Sequence, residues 1–160
     1  MSYAAGVLLY SKRNGEILFL LGKDDHQKWS DFGGKDEIED RKQPYRTASR
    51  ECYEETNGII HNLFSLRERI ETSADYVVGR SYMNKPYYMY LVQIPFSHNI
   101  PNDYSIILSC FKNLEHFRTE KKRLRWFKFS DVLADKAGCI RCVFLDTLNR
   151  NISSIKEILR

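Results

Sequence analysis

The sequence lacks any apolar run approaching the roughly 20 residues that a transmembrane helix needs. Its first residues also lack a basic stretch followed by an apolar run, which is the pattern of a secretory signal peptide. The four cysteines, at positions 52, 110, 139 and 142, show no framework spacing, and this is typical of reduced thiols. These absences predict a cytoplasmic protein with no membrane segment.

Internal repeats, linkers and low-complexity tracts are missing as well. A chain of 160 residues is long enough for one domain with a full core, and 42% hydrophobic residues suit a soluble globule. We therefore expect one domain over residues 1–160. The formal net charge of +4 is a weak pointer to an anionic partner and does not require nucleic acid.

Groupings that would support nucleophilic or zinc chemistry are also scarce. The four histidines, at positions 26, 61, 98 and 116, are scattered and indicate no His-based nucleophile. Cys139 and Cys142 form a lone CxxC, whereas zinc needs about four ligands. With no second pair nearby, we interpret them as two helical cysteines.

Patterned apolar segments predict alternating strands and helices. Strands are expected at 3–10, 16–21, 76–78, 86–95 and 124–129. Asn14-Gly15 is a strong hairpin signal between the first two, and Trp126 is the expected core residue of the last. Ser130-Asp131 is a candidate helix cap. Apolar spacing from Ile140 predicts a C-terminal helix that extends towards Leu159, whereas 59–71 and 101–117 give no clear prediction.

The stretch that carries the chemistry is GGKDEIEDRKQPYRTASRECYEETNG, from Gly33 to Gly58. Gly33-Gly34 allows the backbone to adopt positive φ and to approach another group closely. Pro44 suits the first turn of a helix, and Asn57-Gly58 suits its end. The stretch therefore predicts a loop, a helix that begins at Pro44, and a stop.

Three carboxylates share one face of this helix, because Glu51, Glu54 and Glu55 fall at i, i+3 and i+4. Like charges at i, i+4 destabilise a helix by about 0.2–0.5 kcal/mol per pair. A divalent cation would remove the conflict, since oxygen ligands suit Mg²⁺ or Mn²⁺ and Mg²⁺ often shares its shell with substrate phosphates. Taken alone, the glutamates favour a solvated acidic face paired with Arg46 and Arg50.

The glycines and the helix together resemble the Nudix box, G-x5-E-x7-R-E-U-x-E-E-x-G-U, where U is a bulky apolar residue. The match includes Gly-Gly-Lys at 33–35 and the run Arg50-Glu51-Cys52-Tyr53-Glu54-Glu55. The resemblance covers most of the chain and implies an α/β fold, with a mixed β-sheet sandwiched between α-helices. It also implies metal-dependent hydrolysis of a pyrophosphate linkage.

The loop before the helix departs from this pattern. The box glutamate is expected after five intervening residues from Gly34, where Asp40 stands instead, whereas counting back from Arg50 reaches Lys42. The two counts imply a two-residue insertion. Three acidic residues are left as candidates for the role of the missing glutamate: Glu37, Glu39 and Asp40.

The resemblance implies a set of site residues. Those implied to bind Mg²⁺ or Mn²⁺ are Glu51, Glu54 and Glu55, with Glu51 and Glu55 the firmer pair. Those implied to shape the loop or to reach a phosphate are Gly33, Gly34 and Lys35. Arg50 is implied to orient the glutamates.

The general base stays open among Glu51, Glu54 and a distant residue, Glu120. In some Nudix enzymes a glutamate in a loop comparable to that of Glu120 supplies a further metal ligand or a base. Glu115 competes for this role, and a solvated loop carboxylate is an equal alternative. The basic cluster at 121–123 with Arg125 could grip a phosphate-rich substrate, although a charged hairpin edge is more common.

The favoured function is a divalent-metal-dependent pyrophosphohydrolase acting on a nucleoside diphosphate linked to another moiety. An mRNA cap and a diphosphoinositol polyphosphate stay open as substrates, so the expected partner is a phosphate-rich small molecule or a capped RNA. The alternative is a Nudix-fold module that binds a nucleotide or RNA without hydrolysis. Such modules tend to lose box glutamates, and all three are present here.

Overall fold

A computed structural model describes residues 2–114 and 119–160, which fold around a mixed β-sheet. The strands are β1 (Ala4–Arg13), β2 (Glu16–Lys23), β3 (Trp29–Ser30), β4 (Phe32–Lys35), β5 (Asp75–Arg80), β6 (Pro86–Gln93) and β7 (Arg123–Lys128). The helices are α1 (Pro44–Glu55), α2 (Leu63–Ser73), α3 (Asn99–Phe111), α4 (Phe129–Ala134), α5 (Cys142–Arg150) and α6 (Ile152–Ile158). A short 3₁₀ turn, Ile38–Asp40, precedes α1.

Strand β1 lies at the centre of the sheet, in the order β3-β2-β1-β6-β5. It runs antiparallel to β2 and β4 and parallel to β6, while β7 pairs with β2. The hairpin between β1 and β2 turns at Asn14 and Gly15, both with positive φ, as expected. Residues 4–11 of β1 are buried because helices cover both faces of the sheet.

Two hydrophobic cores lie on opposite faces of this sheet. One packs Val7 and Leu9 of β1 against α1, α2 and α3, and the other packs Leu8 and Tyr10 against α4, α5 and α6. Alternate residues of one strand point to opposite faces, so β1 supplies both cores. The expected mixed sheet between helices is confirmed.

The clearest differences from the sequence predictions are helices without a strong apolar pattern. Helix α2 buries only Leu66 and Ile70 and is capped by the Asn62 side chain, which accepts from the Ser65 N–H. Helix α3 buries only Tyr104. Because so few positions face the core, neither helix shows the spacing that predicts an amphipathic segment.

The C-terminal third also differs in detail. Trp126 is only half-buried, and Leu124 is the buried residue of β7. The predicted cap at Ser130-Asp131 is wrong, since α4 begins at Phe129.

The expected C-terminal helix is broken at Asn151, whose side chain donates to the Val78 carbonyl. Cys139 precedes α5 instead of lying within a helix.

Helix α1 follows its sequence signals closely. It begins with Pro44 and is followed by Asn57 and Gly58, both with positive φ. Ala48 and Cys52 are fully buried on the face turned to the sheet. The helix therefore has a fixed orientation that does not depend on the loop before it. None of the helices among the described residues is long and apolar enough to cross a membrane.

Candidate active site

The glycines of β4 bring the backbone of the sheet edge against α1. The Gly33 N–H donates to Glu55 Oε1 at 2.7 Å. A Cβ at Gly34 would lie 2.5 Å from Glu51 Cδ, and one at Gly33 would lie 2.8 Å from Gly6 Cα on the paired strand β1. Only residues without a Cβ allow this close approach.

The three glutamates of α1 differ in their environments. Glu51 and Glu55 are buried, with 7% and 5% of their surface exposed, whereas Glu54 is partly exposed. Burial raises the pKa of Glu55 to about 8; Lys121 opposes the rise, and the charges of Glu51 and Glu120 add to it. A further cation beside Glu55, in addition to Lys121, would therefore favour its ionised form.

Arg50 holds the acidic face together. Its Nη1 atom lies 2.8 Å from Glu51 Oε1 and 3.3 Å from Glu54 Oε2. Its Nη2 atom donates to the Lys35 carbonyl at 2.9 Å, which ties α1 to the end of β4. Burial disfavours the charged guanidinium, but the hydrogen bond to Asp40 and the contacts with Glu51 raise the pKa of Arg50 above its ordinary value.

Asp40 is the acidic loop residue that meets Arg50 most closely. Its two oxygens accept from Arg50 Nε at 3.1 Å and Nη2 at 2.9 Å, and Oδ2 also accepts from the Thr47 hydroxyl at 2.8 Å. Burial alone would raise the pKa of Asp40, yet these hydrogen bonds hold it below its usual value. By contrast, Glu39 is exposed, and exposed Glu37 reaches Arg50 only at 3.5 Å.

A divalent cation fits the donor set of this site, since carboxylate oxygens are the ligands that Mg²⁺ and Mn²⁺ prefer. Two of the three glutamates are also removed from water. Among residues 2–114 and 119–160, no three His, Cys, Asp or Glu side chains converge closely enough to hold a metal. The cation that Glu51 and Glu54 share in this structure is the Arg50 guanidinium.

Glu120 lies on the exposed approach to β7, close enough for its charge to raise the pKa of Glu55. The structure thus brings Glu120 to the same end of the site as Glu55. Its competitor, Glu115, lies outside the described residues. The predicted basic cluster does not form one surface, because Lys121 points inward, Lys122 pairs with Asp25 at 3.1 Å, and the others are exposed.

A cavity of about 620 Å³ opens beside β4 and is lined by Gly33 and Gly34, which also approach Glu55 and Glu51; none of the three glutamates lines it. It lies among β4, the start of β1, the turn between β5 and β6, and the start of α5. Its charged lining residues are Asp31, Lys35, Asp36, Arg80, Lys85 and Arg141. Its aromatic lining residues are Tyr3, Tyr82, Tyr87 and Phe144. An aromatic pocket with more cations than carboxylates suits an anionic ligand that also carries a ring.

Buried Asp31 and half-buried Tyr87 form a polar pair in this cavity that is not among the residues expected from the sequence. The Tyr87 hydroxyl donates to Asp31 Oδ2 at 2.5 Å. Burial raises the pKa of Asp31, and the hydrogen bond from Tyr87 opposes the rise. The two residues are 56 positions apart in sequence, so no local pattern could have joined them. Lys35, by contrast, is exposed and lines the cavity, where a phosphate could reach it.

Comparison with known proteins gives one family match. The family model described as NUDIX domain matches residues 2–144. No curated protein sequence matches the chain.

Several solved structures share the fold. A C. elegans Ap4A hydrolase in a binary complex is 21% identical, with a TM-score of 0.53 and 98% of each chain covered. The NUDIX domain of Shewanella oneidensis NrtR, complexed with ADP ribose, is 13% identical with a TM-score of 0.59, and covers 99% of this chain and 88% of that one. The C-terminal domain of mouse MUTYH, in complex with human PCNA, is 10% identical with a TM-score of 0.55. The match covers 98% of this chain and 90% of that one.

Proposed function

The chain belongs to the NUDIX domain family, and from this premise we propose how and on what it acts. It is a Nudix pyrophosphohydrolase. We propose that its substrate is a small nucleoside diphosphate linked to another moiety, and that residues 1–160 form one catalytic domain. The observation that supports this most strongly is the retained set of Glu51, Glu54 and Glu55 beside a cavity lined by Gly33 and Gly34.

The three glutamates would hold the metal ion jointly. When bound, the divalent ion, Mg²⁺ or Mn²⁺, would neutralise charge on the polyphosphate and activate the attacking water. Arg50 fixes the positions of the Glu51 and Glu54 carboxylates through Nη1. The Gly33 N–H fixes one oxygen of Glu55. These contacts restrain each carboxylate individually, and the three would still have to converge on the ion.

A carboxylate beside the attacking water takes its proton. Glu51, Glu54 and Glu120 are the candidates, and they differ in access. Glu51 is buried, whereas Glu54 is partly exposed and Glu120 is exposed, so the latter two are more open to water. Replacing a carboxylate that serves only as the base should lower kcat with little change in metal affinity, whereas replacing a metal ligand should weaken metal binding as well.

The cavity favours a small nucleotide over a capped RNA. Pockets for small molecules commonly measure about 300–1,000 Å³, and a cavity of about 620 Å³ falls within that range. Tyr82 is 80% exposed at the rim and could stack on a base. The fold neighbours include an Ap4A hydrolase and a domain complexed with ADP ribose, so a dinucleoside tetraphosphate and ADP-ribose come first among the substrates to test.

The test is a substrate panel with Mg²⁺ and with Mn²⁺, followed by separation of the phosphate-containing products. The panel contains a dinucleoside tetraphosphate, ADP-ribose, a capped RNA and a diphosphoinositol polyphosphate. We expect cleavage of a small nucleotide, none in EDTA, and kcat lower by orders of magnitude in Glu54→Gln and Glu55→Gln. Turnover that survives EDTA or either substitution contradicts the metal assignment.

The same panel separates catalysis from binding alone. A ligand that binds only the native state adds about 2.7 kcal/mol at a hundred times its Kd, so melting temperature rises in either case. A rise in melting temperature without product from any substrate would identify a binding module.

The four free cysteines suit the cytoplasmic location that we propose.

A further inference from the structure

Lys121 is buried beside the glutamate face. Its side chain is only 4% exposed, and its Nζ atom lies 3.9 Å from Glu55 Oε2. The same nitrogen donates to the Ser30 hydroxyl at 2.9 Å. Lysine is almost never fully buried unless it is paired. The ammonium of Lys121 is therefore part of the site's charge arrangement and not a solvated surface group.

The fold forms a fitted slot for this side chain. A Cβ at Gly22 would lie 2.7 Å from Lys121 Cδ, so the glycine leaves room for the lysine stem. The Nζ atom lies 5.8 Å from the centre of the Phe32 ring. The Tyr104 hydroxyl lies 2.7 Å from the Lys121 carbonyl and 3.1 Å from the Glu55 carbonyl, which ties the two backbones together. The aliphatic stem, the ammonium group and the backbone of Lys121 are therefore all held in place.

The two cations of the site divide the glutamates between them. Arg50 Nη1 contacts Glu51 and Glu54, whereas Lys121 faces Glu55. A fixed positive charge next to a carboxylate opposes the approach of a second cation to that carboxylate. Polyphosphate brings its own negative charge and offsets this opposition. Such a charge balance would link metal uptake to substrate binding.

We propose that Lys121 is a positioning residue, a built-in counter-ion that holds Glu55 and weakens divalent-metal binding to the free protein, so that metal enters together with the polyphosphate. This inference rests on the proposed function. Lys121 touches no substrate, because its side chain is enclosed; it acts through Glu55.

The test measures Mn²⁺ binding to the free protein, without substrate, by the electron paramagnetic resonance signal of unbound Mn²⁺. Lys121→Met keeps the apolar stem and removes the charge, so we expect Mn²⁺ to bind several-fold more tightly than in the wild type. Lys122→Met is the matched control, because this neighbour is exposed and pairs with Asp25. Its Mn²⁺ affinity should equal that of the wild type. Unchanged or weaker binding in Lys121→Met overturns the proposal, and a merely structural role would also predict weaker binding.

A second comparison tests whether Lys121 acts through Glu55. In a Glu55→Gln background, Lys121→Met should tighten Mn²⁺ binding much less than in the wild-type background; equal tightening in both contradicts the counter-ion role. If circular dichroism shows that Lys121→Met is unfolded, Lys121→Gln takes its place, since an amide can still donate to Ser30.

Hydrolysis by the wild type is measured in parallel. Its absence would refute the proposed function, while the Mn²⁺ affinities would still decide the role of Lys121.

Discussion

At the scale of single residues, Asp40 and Arg50 determine how the acidic face of α1 is held. The Asp40 carboxylate is 2% exposed and binds the guanidinium through both of its oxygens. Charge-assisted bidentate contacts of this kind are stronger and more directional than neutral hydrogen bonds. From the sequence, Glu37, Glu39 and Asp40 are all candidates for the role of the missing box glutamate, because spacing cannot show which carboxylate turns inward.

Replacing Asp40 with Asn should therefore harm the protein far more than replacing its exposed neighbour. Asp40→Asn removes the bidentate charge partner of the half-buried Arg50, which keeps its contacts with Glu51 and Glu54, and we expect the free energy of unfolding to fall by about 1–3 kcal/mol. Glu39→Gln is the matched control, and surface changes of this kind stay within about 0.5 kcal/mol. Urea denaturation of both variants checks this. Equal stability of the two would mean that Asp40 does not support Arg50.

Glu55 makes the folding stability of the metal-free protein depend on pH. Its pKa is raised from 4.5 to about 8 in the folded state, so between these values the folded state binds more protons than the unfolded state. Stability must then fall as pH rises through this window. We expect the melting temperature in EDTA to decrease from pH 5 to pH 8, and this decrease to be smaller in Glu55→Gln. Identical pH profiles for the two proteins would show that Glu55 is not the source.

At the scale of elements, α1 and the hairpin between β1 and β2 were predictable because their ends carry local signals. Pro44 fixes a φ that suits the first turn of a helix, and both Asn-Gly pairs adopt positive φ, which few other residue types tolerate. The break between α5 and α6 carries no such signal, because it depends on a contact between Asn151 and Val78 of β5. Tertiary contacts of this kind override a continuous helical pattern.

The packing of β4 against α1 predicts a strong effect of one added methyl group. In Gly34→Ala, the Cβ would lie 2.5 Å from Glu51 Cδ, so the carboxylate must move. Displacing a catalytic group by about 1 Å can cost about a hundredfold in rate, and we expect kcat to fall on that order. Steady-state kinetics give the rate, and circular dichroism shows whether the sheet is intact. A folded Gly34→Ala protein with normal kcat would contradict the assigned role of Glu51.

At the scale of the whole molecule, the cavity joins segments that are distant in sequence. Its lining comes from β1, β4, the β5–β6 turn and α5, whereas the glutamates come from one helix. This difference explains why the glutamate motif could be recognised in the sequence and the cavity could not. A motif within one helix can be recognised by spacing, but residues such as Arg80 and Arg141 meet only after the sheet has formed.

The cations of the cavity should control substrate affinity without affecting the chemical step. Lys85 is exposed on the turn between β5 and β6 and lines the cavity, away from the glutamates of α1. An exposed charge contact contributes about 0.2–1 kcal/mol, so Lys85→Gln should raise KM by about 1.4- to fivefold and leave kcat unchanged. Lys156→Gln is the matched control, since this residue is exposed on α6 and does not line the cavity. The increase in KM should shrink at high salt, because ions screen an exposed charge. If both variants show the same KM as the wild type, the substrate does not lie against this turn.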